Sequence, residues 1–280
     1  MLPILLDLNF VKIYTNGVFL LLAFFWGSYL LWKNFLLTAH KEEEIFDGLF
    51  ISIAGGLFLG RFLHVLLNFE DFGFSILKFI LINGYPGISI YGFLIGAFLS
   101  LKIYFKTRKI DVLESFDYAI PAIFLSLGLG KLGSFLSGSE IGSKTNFIAS
   151  IRYPGFEGGR HLTSFYESLL FLLFSFIAYK LLYAIRRGKF QKGMNYYFFW
   201  LIFSLIYLVF DILKTNKALL FGISFNFLIS AVILLTFSLI FIYHFRSLII
   251  KNLNLNKILF RKNGKKIFKG FYKKEKRQTT

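Results

Sequence analysis

The sequence predicts an all-α integral membrane protein of about seven transmembrane helices. Three observations lead there. Apolar residues make up 56% of the 280, against roughly 45–50% in soluble domains. They fall in blocks of about 20, the length a helix needs to cross ~30 Å of hydrocarbon. Lys and Arg collect in the gaps between these blocks and in one C-terminal run. Lipid offers backbone amides no partner, so segments of this length satisfy their own hydrogen bonds as helices.

In chain order, spans are expected near 13–32, 45–67, 86–105, 112–136, 163–183, 194–213 and 221–245. The opening MLPILLDLNFVKIY has neither a basic start nor a small-residue cleavage site, so the first span itself is expected to direct insertion. Phe74–Leu81 is too short to cross and reads as an interfacial helix. Between the fourth and fifth spans runs SGSEIGSKTNFIASIRYPGFEGGRHL, polar and rich in turn residues. It predicts a small extracytoplasmic head over 138–162, since loops ordered by a scaffold often carry function. The membrane domain then covers 1–245 and a basic cytoplasmic tail covers 246–280, with twelve Lys/Arg and a single acid, Glu275.

The formal charge of +17 does not point to nucleic acid. A basic run directly after a membrane helix is explained by anionic lipid headgroups, and some of the charge follows a compositional leaning toward Lys, Asn, Ile and Phe. With the N-terminus outside, 23 of the 32 Lys/Arg fall on the cytoplasmic side and 7 outside, the polarity of the positive-inside rule. There is no cysteine, which excludes disulfides, thiolate metal sites and a cysteine nucleophile. The histidines His40, His64, His161 and His244 show no metal-ligand spacing.

The remaining two basic residues, Arg61 and Lys131, fall inside expected spans. A charge near mid-helix costs a few kcal/mol on insertion scales and usually faces a polar cavity or a partner. Arg61 follows Gly55-Gly56-Leu57-Phe58-Leu59-Gly60, and Lys131 sits within Gly128-Leu129-Gly130-Lys131-Leu132-Gly133-Ser134. Glycines let helix backbones approach closely. One reading makes the two cations the lining of a phosphate-sized pocket. The other has them snorkel to the outer interface or pair with acids such as Asp47 or Glu167. Asp117, Tyr91, Tyr166, Glu167, Tyr207 and Asp211 add further polar groups to the spans, and together they suggest a polar chamber near the outward helix ends.

Ile13-Tyr14-Thr15-Asn16-Gly17, Gly60-Arg61-Phe62, Ser89-Ile90-Tyr91-Gly92, Gly130-Lys131-Leu132-Gly133-Ser134 and Arg160-His161, in order between Ile13 and about Lys217, resemble motifs of the bacterial prolipoprotein diacylglyceryl transferase family. Ile13-Tyr14-Thr15-Asn16-Gly17 is similar to its first-helix motif. Asp47, Gly55-Gly56 and Gly60-Arg61-Phe62 with Val65-Leu66 fit its second-helix pattern. Gly87-Ile88-Ser89-Ile90-Tyr91-Gly92-Phe93-Leu94-Ile95-Gly96 resembles its Ser-Phe-His-Gly-Gly-Leu-Ile-Gly signature. Gly130-Lys131-Leu132-Gly133-Ser134-Phe135-Leu136-Ser137-Gly138, ending at Gly142, looks like Gly-Arg-x-Gly-Asn-Phe-x-Asn-Gly…Gly. Arg160-His161 with Ser164 and Tyr166-Glu167 resembles Arg-His-Pro-Ser-Gln-x-Tyr-Glu. Five matches in order carry fold and ancestry.

The resemblance implies an enzyme of the bacterial cytoplasmic membrane, N-terminus outside and C-terminus cytoplasmic. It would move the diacylglyceryl group of phosphatidylglycerol, or of a related anionic lipid, to the lipobox cysteine thiol in a prolipoprotein signal peptide, and release glycerol phosphate. The nucleophile belongs to the substrate, and the chemistry calls for no metal or other cofactor and no nucleic acid. The implied catalytic residues are Tyr91, His161 and Glu167. The implied substrate-binding residues are Lys131, Arg61, Ser134, Gly142, Ser89, Tyr207 and Asp211.

Departures from the pattern are specific. Tyr91 stands at the family's histidine, its proposed base, and a tyrosine ordinarily titrates near ~10. Lys131 replaces an arginine, keeping charge without the bidentate fork. Ser134 and Ser137 replace asparagines, Glu140 lies one place beyond the family's glutamate, and Tyr207 occupies what looks like a second phosphate-binding arginine position. A catalytically degenerate homologue that holds lipid or precursor as a scaffold is the second reading, and an anion or lipid transporter the third. Lipid bound without transfer would mark the scaffold; flux across proteoliposomes would mark the transporter.

Overall fold

The computed structural model describes residues 2–246 apart from Asn9, Asn83, Pro154, Asn216, Phe221 and Phe245. The expected basic tail, beyond Arg246, lies outside the described residues. The helices are α1 (Thr15–Phe35), α2 (Glu42–Leu67), α3 (Phe69–Phe72), α4 (Ile76–Ile80), α5 (Ile90–Thr107), α6 (Val112–Ser137), α7 (Thr163–Arg186) and α8 (Met194–Asp211), followed by α9 (Phe225–His244). All except α3 and α4 are long and apolar enough to cross a membrane, seven among the described residues. Three two-stranded antiparallel pairs join them: β1 (Ile4–Asp7) with β2 (Lys12–Tyr14), β3 (Ser150–Ile151) with β4 (Arg160–His161), and β5 (Leu219–Leu220) with β6 (Ile223–Ser224). Among the described residues, those through Ala231 form one compact unit and those from Val232 another.

Helix ends depart from the expected ones where local chemistry intervenes. The third span starts at Ile90 rather than 86, because Gly87 has φ +140° and Ser89 caps the helix, its hydroxyl 3.5 Å from the Gly92 N–H. The last starts at Phe225 rather than 221, after the β5–β6 hairpin. The segment 74–81 contributes only the short α4.

Packing in the first unit follows the glycines. α2 lies along α5, α1 along α6, and α6 along α7, while α8 touches α6 and α7. A Cβ on Gly96 would sit 2.3 Å from the Gly55 carbonyl, and one on Gly92 2.5 Å from the Leu59 carbonyl, so α2 and α5 meet backbone to backbone. Gly133 of α6 instead leaves room for the Phe19 side chain of α1, and Gly128 for the Leu172 side chain of α7. Side chains such as Phe25, Trp26, Phe50, Phe58 and Phe176 point outward, exposed, as lipid contact allows.

A polar clasp fastens α8 to α6 and α7. Asp117 on α6 accepts the Gly193 N–H at 2.6 Å and the Asn195 N–H at 2.8 Å, capping α8 from a distance. Pro121 has no N–H to give the Asp117 carbonyl one turn back. The Asn195 side-chain amide donates to that carbonyl at 3.0 Å and to Ala178 O at 3.1 Å.

Candidate active site

Four charges meet where α6, α7, the 138–162 connection and the end of α8 converge. Lys131 extends from α6, and its ammonium lies 2.7 Å from Glu140 Oε1 and 2.7 Å from Glu167 Oε2. Lys214, three residues past α8, reaches Glu167 Oε1 at 2.6 Å and Glu140 Oε2 at 3.3 Å. Each carboxylate therefore bridges both lysines. The Tyr207 ring lies beneath both ammoniums, its centroid 5.1 Å from Lys131 Nζ and 4.8 Å from Lys214 Nζ, within cation–π range. Formal charges cancel across the square, which lets four ions share a largely buried site.

Backbone pairing sets the geometry. Past Asp211 the chain leaves the helix and pairs with the connection: Ser143 N–H donates to Leu213 O at 2.7 Å and Thr215 N–H to Ile141 O at 3.3 Å, with Gly142 opposite Lys214. This brings Lys214 beside Glu140 and ends the sixth span at 211 rather than 213. On the other edge, His161 N–H donates to Ser143 O at 3.1 Å. A Cβ on Gly142 would come within 2.3 Å of the His161 carbonyl, so glycine alone fits between the two neighbouring segments.

The two glutamates differ. Glu167 is fully buried on the first turn and a half of α7, while the Glu140 side chain is 33% exposed and has one further contact, from the Ser164 hydroxyl at 3.3 Å. Burial opposes ionisation of Glu140, yet Lys131 and Lys214 overcome it and hold its carboxyl down to about 2.

A cavity of about 910 Å³ runs from the square between the α2/α5 pair and α1/α6, at the upper end of the 300–1,000 Å³ common for ligand pockets. Its polar end carries Asn16, His64, Ser89, Lys131, Glu140 and Lys214, with Ser134 beside them. The rest is mostly apolar, with Leu20, Phe24, Ile53, Leu101 and Phe105 among its walls beside Ser28, Ser52 and Ser126. Among the described residues, no three His, Cys, Asp or Glu side chains converge as metal ligands would.

Of the residues singled out in the sequence, Lys131, Ser89, Ser134 and Tyr207 line this cavity. Glu167 stands behind it, on the lysines. Arg61 is a clasp: its guanidinium donates to Lys78 O at 2.7 Å, Gly87 O at 2.8 Å and Phe79 O at 2.9 Å, above the Phe72 ring. It thereby ties α4 and the start of α5 to α2. Tyr91 is packed among Phe203, Tyr207 and Phe225, its hydroxyl 2.6 Å from Ser230 Oγ and donating to Asn226 O at 3.2 Å. His161 lies in β4 with its ring against Phe147. Asp211 is buried, 3.9 Å from the Lys217 ammonium. Lys214 and Glu140 are the pair that sequence reasoning left out of the site, and His64 is the imidazole that lines the cavity among the described residues.

A helical membrane protein with an apolar cavity closed by a bridged pair of ammoniums is suited to holding an amphiphilic anion. The chain belongs to the prolipoprotein diacylglyceryl transferase family, which matches residues 3–243. It is 31% identical over 183 residues to the phosphatidylglycerol–prolipoprotein diacylglyceryl transferase of Clostridium tetani, covering 63% of this chain and 72% of that one. The Clostridium botulinum (strain 657 / Type Ba4) protein of the same name is 27% identical over 258 residues, 89% and 99% of the two chains. That of Clostridioides difficile is 25% identical over 210 residues, 75% and 82%.

Proposed function

We propose that this protein matures lipoproteins by transferring diacylglyceryl from phosphatidylglycerol to the cysteine thiol of a prolipoprotein lipobox, in the bacterial cytoplasmic membrane. The observation that carries it, beside family membership, is the join between the apolar cavity and the lysine pair, which matches the join between acyl chains and phosphate in the donor. The thiol sulfur attacks the glyceryl carbon that bears the phosphate ester. A C–S bond forms, the C–O bond breaks, and the electron pair leaves on glycerol phosphate. Lys131 and Lys214 stabilise the charge gathering on the leaving phosphate, as fixed cations in a dry site do most effectively. Glu167 holds both ammoniums in place, and Ser134 and Ser89 shape the headgroup region. Tyr207 supports the lysines from below, and Gly142 lets the connection fold close enough to deliver Glu140.

The thiol proton needs an acceptor. In this reading His64 accepts it: its ring lines the cavity against Gly87, and an imidazole is the side chain best matched to proton transfer near neutral pH. Tyr91, tied to Ser230 and Asn226, serves to position α5 against α9. The N-terminus and the 138–162 connection lie outside the cytoplasm in this reading, supported by the Lys/Arg bias, so that an exported precursor meets the square from that side.

The test is incorporation of labelled diacylglyceryl from phosphatidylglycerol into a lipobox peptide by purified protein. Transfer is expected for the parent, with a loss of about 10²-fold or more in His64→Gln. Absence of transfer with lipid still bound would instead establish the scaffold reading, which the enclosed Tyr91 hydroxyl favours.

A further inference from the structure

The lysine square has an anion in it already. We propose that Glu140 is a resident stand-in for a phosphate ester, occupying the seat between Lys131 and Lys214 until a phosphate displaces it. This rests on the transferase reading and says how its site is loaded.

Four observations converge. The Glu140 carboxylate spans both lysines, Lys131 Nζ lying 2.7 and 2.8 Å from its two oxygens and Lys214 Nζ 3.3 Å from Oε2. Two oxygens of one phosphate reach two ammoniums in the same way. Glu140, Lys131 and Lys214 line the cavity, so the ligand side of the lysines is the side that Glu140 covers. The fully buried Glu167 holds the opposite side from within α7, whereas Glu140 stands on the connection, partly exposed. The square is also balanced. A phosphate entering beside both glutamates leaves a surplus negative charge in a poorly screened site, which is costly. Exchange of Glu140 for a monoanionic phosphate ester keeps the sum at zero.

Glu140 is ionised at every pH near neutrality, because the lysines outweigh its burial. It therefore competes with phosphate throughout the working range. Between turnovers it also keeps two buried ammoniums paired, which prevents the collapse that uncompensated buried charge invites. The Ser164 hydroxyl, 3.3 Å from Glu140 Oε2 while the seat is filled, remains a donor for its carboxylate on displacement. Product release returns Glu140 to the seat as glycerol phosphate departs, and the second negative charge that this monoester gains near neutral pH favours its exit.

The experiment uses the full chain in nanodiscs of zwitterionic lipid, comparing the parent with Glu140→Gln and Glu140→Asp. Two probes are titrated: phosphatidylglycerol, read as KM in the transfer assay and as binding by tryptophan fluorescence, and free glycerol phosphate, read as inhibition and by the same fluorescence. Glu140→Gln is expected to bind phosphate esters about tenfold more tightly, since a neutral amide no longer competes for charge-assisted contacts. Glu140→Asp, still an anion, is expected to stay near the parent. Tightening for glycerol phosphate alone would support the exchange and assign the seat to the free ester. Unchanged or weaker binding of both probes by folded Glu140→Gln would overturn it. A parent that binds both probes but transfers nothing would remove the transferase reading while leaving the exchange to be read from binding.

Discussion

The first unit gathers carboxylates into two clusters, the α6–α8 clasp and the lysine square, and treats them differently. Asp117, in the clasp between α6 and α8, is answered by two backbone N–H groups, and the nearby Asn195 amide fills the carbonyl that Pro121 leaves open. Nothing there faces the cavity. In the square, each glutamate is answered by side-chain ammoniums, and one of the two is part-exposed on a cavity wall. Backbone donors are fixed by the fold and cannot be lent to a ligand; ammoniums on flexible stems can change partners. The contrast separates a buried acid that secures architecture from one placed for exchange.

Substitutions sharpen the contrast. Lys131→Ala leaves Glu167 and Glu140 short of a cation and removes half the phosphate seat, so transfer should fall by about 10³-fold, on the scale of losing a charge-stabilising group. Lys131→Arg should retain transfer measurable in the same assay. Equal rates for Lys131→Ala and the parent would erase the difference between the two clusters. Asp117→Ala should act on stability, lowering unfolding free energy by about 3 kcal/mol, read as a lower Tm in detergent, with the rate per folded molecule unchanged. A rate loss in the folded fraction would show that the clasp is coupled to the chemistry.

Acid titration gives a smaller effect. Burial opposes ionisation of Glu140, but the lysines lower its carboxyl from the ordinary 4.5 to about 2 in the folded protein. The unfolded chain therefore takes up this proton first as pH falls, and the stabilisation, complete above about 4.5, is lost through about 2. Tm measured across that window should fall less steeply in Glu140→Gln than in the parent. An identical slope would show that the square does not hold this carboxylate. Smallest of all, Lys192→Ala should leave Tm unchanged within error. Lys192 is exposed, although bonded to Glu114 and 3.7 Å from Asp111, and such surface pairs contribute little.

The spanning helices were legible because a bilayer imposes length and apolarity on each segment separately, a local property. Lys131 was legible for the same reason, as a charge where none is tolerated without a partner. Lys214 and Glu140 were not. Their meeting depends on residues 141–143 pairing with 213–215, about 70 residues apart in sequence, and neither stretch carries a strand pattern. Arg61 drew attention as a cation near glycines, but its acceptors are carbonyls of Lys78, Phe79 and Gly87, which every residue possesses and no sequence marks. His64 was visible only as one of four histidines without metal-ligand spacing, since the packing of the 87–90 segment on α2 sets its ring against Gly87.

The glycine seam between α2 and α5 has a consequence for traffic. Two helices in backbone contact tolerate no added side chain at their seam, since a Cβ on Gly96 would strike the Gly55 carbonyl. The α1–α2 and α5–α6 seams meet at fewer residues, and the cavity lies between the two pairs. In the proposed transferase, that opening would receive a two-tailed lipid sideways from the bilayer, its headgroup level with the square.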